Sequence, residues 1–244
     1  MKFSHPDWQW LHCIEVIQVD GDFESISSDA ESLVIVMSGT YDVLAGGGSW
    51  LARGVRQTPH EGKPVALFLP PQTRFAFQNG HGELLIVASR QPKSPPVEIP
   101  ATSAKPLLAL AGSGKAFDPA SGEWKRQEDF PSSPEAILPR RIETSLTDGC
   151  VLRHVAPFDY KALSLSLDEA ILQADQSMTT PASAVAQYPA ECAIYYDTAG
   201  SLSIGEAKVS GRGVIPAVDA GTPISAQDSA SHLVIAYAGP KLPS

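Results

Sequence analysis

The stretch PPQTRFAFQN, residues 70–79, aligns without gaps on a second stretch of the same chain, DAGTPISAQD at residues 219–228. An apolar segment follows each block, at 83–88 and at 232–237. Self-similarity over a span of this size indicates two copies of one structural unit. The sequence therefore predicts a duplicated domain.

Short apolar runs upstream of the two blocks indicate what the repeated unit is made of. SGTYDV at 38–43 corresponds to AGSLSI at 199–204, and an apolar run precedes each of them. Short β-branched and aromatic runs bounded by Gly and Pro are typical of strands, and even spacing of such runs is typical of barrels and sandwiches. We expect an all-β protein with two similar barrels in tandem.

Length and composition agree with two domains. The 244 residues are 43% apolar, enough for two separate cores, and 21 Pro and 19 Gly disfavour long helices. Nine of the prolines lie within 91–139. Because proline interrupts both helices and sheets, this segment is predicted to connect the two units. The predicted limits are a first barrel at 1–92, a connection at 93–139 and a second barrel at 140–244.

Charge and cysteine content exclude several classes of protein. Lys and Arg number 18 against 27 Asp and Glu, a net charge of −9, which disfavours binding to nucleic acid or to an anionic membrane surface. The sequence shows neither a signal peptide nor a membrane-spanning stretch, so a cytoplasmic protein is expected. Cys13, Cys150 and Cys192 are odd in number and widely spaced, which suggests buried thiols rather than disulfides or a zinc site.

The repeated block resembles the second motif of the cupin barrels, P-x-G-x-x-H-x-x-x-N. In the first copy Pro70 and Asn79 fit, whereas Phe75 stands where that motif has a metal-binding histidine. In the second copy Gly221 fits, whereas Ile224 stands in place of the histidine. The chain therefore resembles a bicupin with two jelly-roll barrels.

Among bicupins, the chain is similar to the KduI/IolB family of sugar-acid isomerases, which includes 5-deoxy-glucuronate isomerase. The resemblance rests on short pieces in the right order along most of the chain: GVR at 54–56, EGKP at 61–64, ALFLPP at 66–71, VLRH at 151–154, YY at 195–196 and AGPK at 238–241. It implies an aldose–ketose isomerase with a divalent metal in the second barrel.

The metal ligands of that family are missing from this sequence. The resemblance implies an H-x-H pair, a Glu and a further His, but 179–189 contains no histidine. Three imidazoles and a carboxylate hold Zn²⁺ while leaving one position open, and Ala, Val and Ile cannot replace them. Glu191 and Glu31 lie near expected ligand positions and are candidate ligand-binding residues. We predict no metal cofactor; the alternative is a carboxylate site for Mg²⁺, Ca²⁺ or Mn²⁺ from Glu24, Asp29 and Glu31.

Other side chains are candidates for contact with a sugar acid. Phe75 is predicted to point into the first barrel, either as core or as an apolar wall for a sugar. Tyr195 and Asp197, if inward, would bind hydroxyl groups, and a buried Asp197 would need a donor such as Arg153. Arg153 offers a guanidinium fork for a carboxylate, or is an ordinary surface charge. His60 lies in the loop that resembles the G-x-R region and borders a pocket or caps a turn.

Three functional hypotheses follow from the sequence. The first is a non-catalytic bicupin that binds a small sugar acid or related carbohydrate. The second is an active sugar-acid isomerase with a rebuilt site, in which arginine or tyrosine polarises the carbonyl group. The third is a structural or regulatory subunit. Because cupins often pair through their sheets, a homodimer is expected.

Overall fold

The computed structural model describes residues 1–45, 48–61, 64–90, 107–110, 115–118, 123–126, 143–147, 150–156, 164–181 and 190–239. All regular elements in these ranges are strands. Nothing in the described ranges is a helix able to cross a membrane. The strands are β1 Lys2–Phe3, β2 Leu11–Ile26, β3 Ser32–Val36, β4 Gly39–Ala45, β5 Gly48–Arg56, β6 Val65–Leu69, β7 Arg74–Ser89, β8 Leu107–Leu110, β9 Lys115–Asp118, β10 Glu123–Arg126, β11 Glu143–Thr147, β12 Cys150–Ala156, β13 Leu165–Leu172, β14 Ser177–Thr179, β15 Glu191–Ile204, β16 Ala207–Ile215, β17 Pro223–Ala226 and β18 Ser231–Ala238.

These strands form two eight-stranded sheets. The first has the order β1-β2-β7-β3-β6-β8, with β4 between β5 and β7, and the second has the order β11-β12-β13-β18-β15-β17-β14, with β16 on β15. Strands β9 and β10 form a separate antiparallel hairpin. The predicted all-β, two-barrel architecture is confirmed, and the two aligned blocks lead into β7 and β18, which hold equivalent central places.

The predicted connection is partly built into the first sheet. Strand β8 pairs with β6 from Phe68↔Leu107 to Val65↔Leu110, so this piece of 93–139 extends that sheet. The residues of the connection other than those in β8, β9 and β10 lie outside the described residues. The domain limits at 92 and 139 therefore stay a prediction.

The hydrophobic core shows how the two sheets meet. One cluster fills the second barrel and includes Met178, Ile194 and Ile224. The other fills the first barrel and continues onto the outer face of the second sheet, where it includes Leu167 and Tyr195. The two barrels therefore share one continuous apolar interface.

Two carboxylates, the buried Glu31 and the partly buried Glu191, bind across this interface in a reciprocal way. Glu31, just before β3, accepts hydrogen bonds from the Ser164 backbone N–H at 2.8 Å and its hydroxyl at 2.9 Å. Glu191, which opens β15, accepts from the backbone N–H of Trp10 at 3.0 Å and of Leu11 at 2.7 Å, and from that of Gln9. Each carboxylate thus binds the chain that leads into a strand of the other sheet.

Candidate functional site

The two positions where cupins carry a metal-binding histidine are filled by apolar packing. Phe75 is 3% exposed and contacts the rings of Phe23 and Phe77 edge-on, at centroid distances of 6.0 and 6.2 Å. Ile224 is fully buried and pairs with Met178 across the sheet. Hydrocarbon side chains donate no electron pair, so the residues at these positions do not fit a metal. Phe75 also borders an open surface cleft of about 610 Å³.

The alternative carboxylate site is not assembled either. Glu31 is buried and bound to Ser164, whereas Glu24 and Asp29 are exposed. No group of three or more His, Cys, Asp or Glu side chains suited to a metal occurs among the residues that the structure describes. All three carboxylates belong to that part of the chain, so the proposed site from Glu24, Asp29 and Glu31 is wrong. A protein without a metal cofactor stays a prediction.

A buried charged group lies instead between the two sheets, and we call Arg56, Arg153, Glu169 and His232 the inter-sheet cluster. Glu169 Oε1 accepts from Arg56 Nη1 at 2.6 Å and lies 2.8 Å from His232 Nε2. Its Oε2 accepts from Arg153 Nη1 at 2.9 Å. Arg56 comes from β5 of the first sheet and also donates Nε to the carbonyl of Val36 at 2.8 Å. The cluster is therefore one ionic network that joins both sheets.

The surroundings keep Glu169 ionised. Burial alone raises the pKa of a carboxyl group, but the hydrogen bond and charge of His232 and the charge of Arg56 outweigh it and lower the pKa of Glu169 to about 2. A buried carboxylate needs several hydrogen-bonding partners, here Arg56, Arg153 and His232, because taking its charge out of water costs several kcal/mol. Glu169 is thus the anion around which the cluster is organised.

A second group of ion pairs lies nearer the solvent, and we call Glu83, Asp197 and Arg212 the outer ion-pair group. Arg212 Nη1 lies 2.6 Å from Glu83 Oε2, and its Nη2 lies 2.8 Å from Asp197 Oδ2. The side chain of Arg212 is 42% exposed and that of Asp197 is 20% exposed. The partner of Asp197 is therefore Arg212, which corrects the suggestion of Arg153; Arg153 binds Glu169 instead.

Tyr195 faces the first sheet rather than the interior of the second barrel. On β15, Ile194 and Tyr196 pack with the second-barrel cluster, so Tyr195 and Asp197 point the other way. The condition under which Tyr195 and Asp197 would bind hydroxyl groups inside the barrel, an inward orientation, is therefore not met. Burial and the charge of Asp197 raise the pKa of the Tyr195 hydroxyl. That hydroxyl is buried and has no hydrogen-bond partner within the described ranges.

His60 brings the loop after β5 to the edge of the inter-sheet cluster. Its ring meets that of His232 edge-on at a centroid distance of 6.2 Å, and His60 itself is exposed. Partial loss of water around the ring and the nearby charge of His232 lower the pKa of His60. His60 therefore lies against the inter-sheet cluster, and its role at a pocket or in a turn stays a prediction.

Sequence reasoning missed most of the inter-sheet cluster. Arg153 was a candidate, but Glu169 and His232 were not, and Arg56 appeared only within the GVR piece. One signal was available: Asp168 and Glu169 stand side by side in LSLDEAIL, a strand whose eight residues are all buried. Two acids in a buried strand require buried donors, and that requirement predicts an ionic cluster.

Comparisons with known proteins bear on the fold. Family models and curated proteins give no match. Among solved structures, an IolB-like protein from Salmonella typhimurium LT2 superimposes with a TM-score of 0.65 at 13% identity, over 99% of this chain and 89% of that one. A variant of oxalate decarboxylase from Bacillus subtilis matches with a TM-score of 0.54 at 12% identity, over 98% of this chain and 71% of that one. The fold is that of a bicupin.

The resemblance to IolB-like proteins is thereby confirmed for the fold. A quercetin 2,3-dioxygenase from Acinetobacter baumannii matches with a TM-score of 0.50 at 10% identity, over 95% of this chain and 69% of that one. The neighbours of this bicupin thus carry names of different activities. Because one fold carries many functions, the function of this bicupin has to be argued from its own residues.

Proposed function

We propose that this bicupin is a non-catalytic binding protein for a small sugar acid or related carbohydrate, and that it works without a metal centre. The observation that carries the proposal is the arginine-rich polar region between the sheets, formed by the inter-sheet cluster and the outer ion-pair group. The apolar side chains of Phe75 and Ile224 at the expected metal positions support the absence of a metal centre from this proposal.

The chemistry of this region suits an acid with hydroxyl groups. A guanidinium group offers two parallel N–H donors to a carboxylate, and such charge-assisted pairs are stronger than neutral hydrogen bonds. Arg212 is the most exposed of the three arginines. Asp197 is bound to it, and His60, which lies within reach of the charge of Asp197, offers a further group for hydroxyl binding.

Calorimetry and thermal unfolding with D-glucuronate and D-galacturonate test the proposal, with uncharged sorbitol as the control. A ligand that binds only the folded state raises the free energy of unfolding by RT ln(1 + [L]/Kd), so a uronate at a hundred times its Kd gives about 2.7 kcal/mol. Failure of uronates and inositol-derived acids to bind would overturn the ligand class. Elemental analysis of protein purified without chelator is expected to find no stoichiometric divalent metal, and a stoichiometric metal would overturn the metal-free part.

A diverged isomerase is the second candidate, and the pairing of Glu169 with His232 favours it. A carboxylate that orients one nitrogen of an imidazole leaves the other nitrogen for proton transfer. His232 would remove the proton from the hydroxyl-bearing carbon beside an aldehyde and return it to the aldehyde carbon, while the proton of that hydroxyl group passes to the aldehyde oxygen; one C–H and one O–H bond break and one of each forms. Incubation of glucuronate with the protein in D₂O, followed by NMR, would show deuterium at the former aldehyde carbon of the product; unchanged signals would exclude this candidate for glucuronate.

The homodimer expected from the sequence is also a proposal. Light scattering on the purified protein should give twice the chain mass of 25.9 kDa, and a monomeric mass would contradict it.

A further inference from the structure

Three side-chain atoms of the second sheet are buried and have no hydrogen-bond partner in the described part of the chain: Arg153 Nε, Tyr195 Oη and His232 Nδ1. The last two belong to neighbouring strands. His232 stands directly opposite Asp197 in the pairing of β15 and β18, and Tyr195 is two residues away from Asp197 on the same strand. Side chains two residues apart on a strand share a face, so both atoms belong to one face of one sheet.

Exposed polar groups lie close to these two residues. Arg212 and Asp197 are partly exposed, and their charges act on the pKa of Tyr195. His60 is exposed and its ring contacts that of His232. A cation and a carboxylate with access to solvent thus lie close to Tyr195, and an exposed imidazole lies against His232. Buried polar atoms without a partner are uncommon in native proteins, and each calls for a ligand, a water molecule or a role in chemistry.

We infer that this region is a binding site for a small hydroxycarboxylic acid, with the carboxylate at Arg212 and His60 and a hydroxyl group at Tyr195 Oη and His232 Nδ1. The inference rests on the proposed function for the class of ligand and adds its location. The site lies between the barrels and not inside either one. The carboxylate of the ligand exchanges with Asp197 on Nη2 of Arg212, since Asp197 is the more exposed of the two acidic partners of Arg212.

The tyrosine pair of β15 supplies a matched set of variants. Tyr195→Phe removes the unpaired hydroxyl on the face toward the first sheet. Tyr196→Phe makes the same chemical change at the next residue, whose ring packs with the second-barrel cluster on the opposite face. His60→Gln alters an exposed side chain whose ring contacts that of His232, and gives a second variant that leaves the ion pairs of Glu169 in place.

Titration calorimetry with D-glucuronate and with L-malate, a hydroxy acid that is not a sugar, tests the location separately from the sugar-acid function. We expect Tyr195→Phe to weaken binding of at least one acid about tenfold, the usual loss of one hydrogen bond to a bound ligand. His60→Gln should also weaken binding of the acid, whereas Tyr196→Phe should change its dissociation constant by less than about twofold. Long-range nitrogen NMR of the wild-type protein should show shifted ring signals of His60 and His232 when the acid is added.

The outcomes distinguish the location of the site from the proposed binding of sugar acids. Glucuronate binding that Tyr195→Phe and His60→Gln leave unchanged would overturn the location and keep the proposed function. Malate binding that Tyr195→Phe weakens, without glucuronate binding, would support the location and overturn the sugar-acid function. Binding of neither acid, or ring signals that do not move on saturation, would overturn the site for hydroxycarboxylic acids.

Discussion

Glu169 is the residue on which the inter-sheet cluster depends. Glu169→Gln removes the carboxylate and leaves Arg56 and Arg153 buried without their anion. Removing one partner of a buried ion pair typically lowers the free energy of unfolding by about 3–5 kcal/mol, because the remaining charge is uncompensated. Urea denaturation measures this loss. Glu24→Gln, at an exposed position, is the control and should change the free energy of unfolding by less than about 0.5 kcal/mol. Equal losses of stability in the two variants would contradict the role of Glu169.

The low pKa of Glu169 also predicts how stability depends on pH. The pKa of this carboxyl group falls from its ordinary value of 4.5 to about 2 in the folded protein, so the folded state binds this proton less readily than the unfolded state. The stabilisation is therefore complete above pH 4.5 and is lost as the pH falls toward 2, by roughly 3 kcal/mol in total. Denaturation of the wild type and of Glu169→Gln across this range should converge at low pH. A constant difference between the two proteins would show that Glu169 is not the titrating group.

Some residues of the site follow from the sequence and others do not. The alignment of the repeated blocks predicts Phe75 and Ile224 at the metal positions, and both are buried as packing requires. The contact between Arg56 and Glu169 joins residues that lie 113 apart in the chain. Such a contact depends on how the two barrels dock, and periodicity within one strand carries no information about docking.

At the level of elements, β15 shows where a pattern becomes ambiguous. Alternation along a strand predicts that Tyr195 and Tyr196 face opposite sides, and they do. The sequence identifies the face toward the barrel interior only when one face of the strand is apolar and the other is polar. Strand β15 lacks this difference, because residues 192–195 are all buried. A strand covered on both faces reads as a continuous apolar run. The orientation therefore had to come from the structure.

The reciprocal carboxylates at the start of β3 and β15 yield a prediction about these elements. Glu31→Gln and Glu191→Gln each keep a side chain of similar size but remove the charge that accepts two or more hydrogen bonds. Hydrogen bonds to a charged group contribute about 1.5–3 kcal/mol, so each variant should lose about that amount of stability. Glu206→Gln in the exposed turn between β15 and β16 is the control. Unchanged denaturation midpoints for both Glu31→Gln and Glu191→Gln would mean that these bonds do not stabilise the interface.

At the scale of the whole molecule, the shared core predicts that both barrels unfold together. Ile224→Ala removes a buried side chain from the second barrel, at a typical loss of about 2–5 kcal/mol. All four tryptophans precede residue 140, and Trp8 and Trp10 are buried in the core of the first barrel. Because that core continues onto the second sheet, tryptophan fluorescence should follow the same lowered midpoint as circular dichroism. Leu51→Ala, at a position 67% exposed, should leave both midpoints in place. A fluorescence midpoint that stays at the wild-type value in Ile224→Ala would show that the barrels unfold independently.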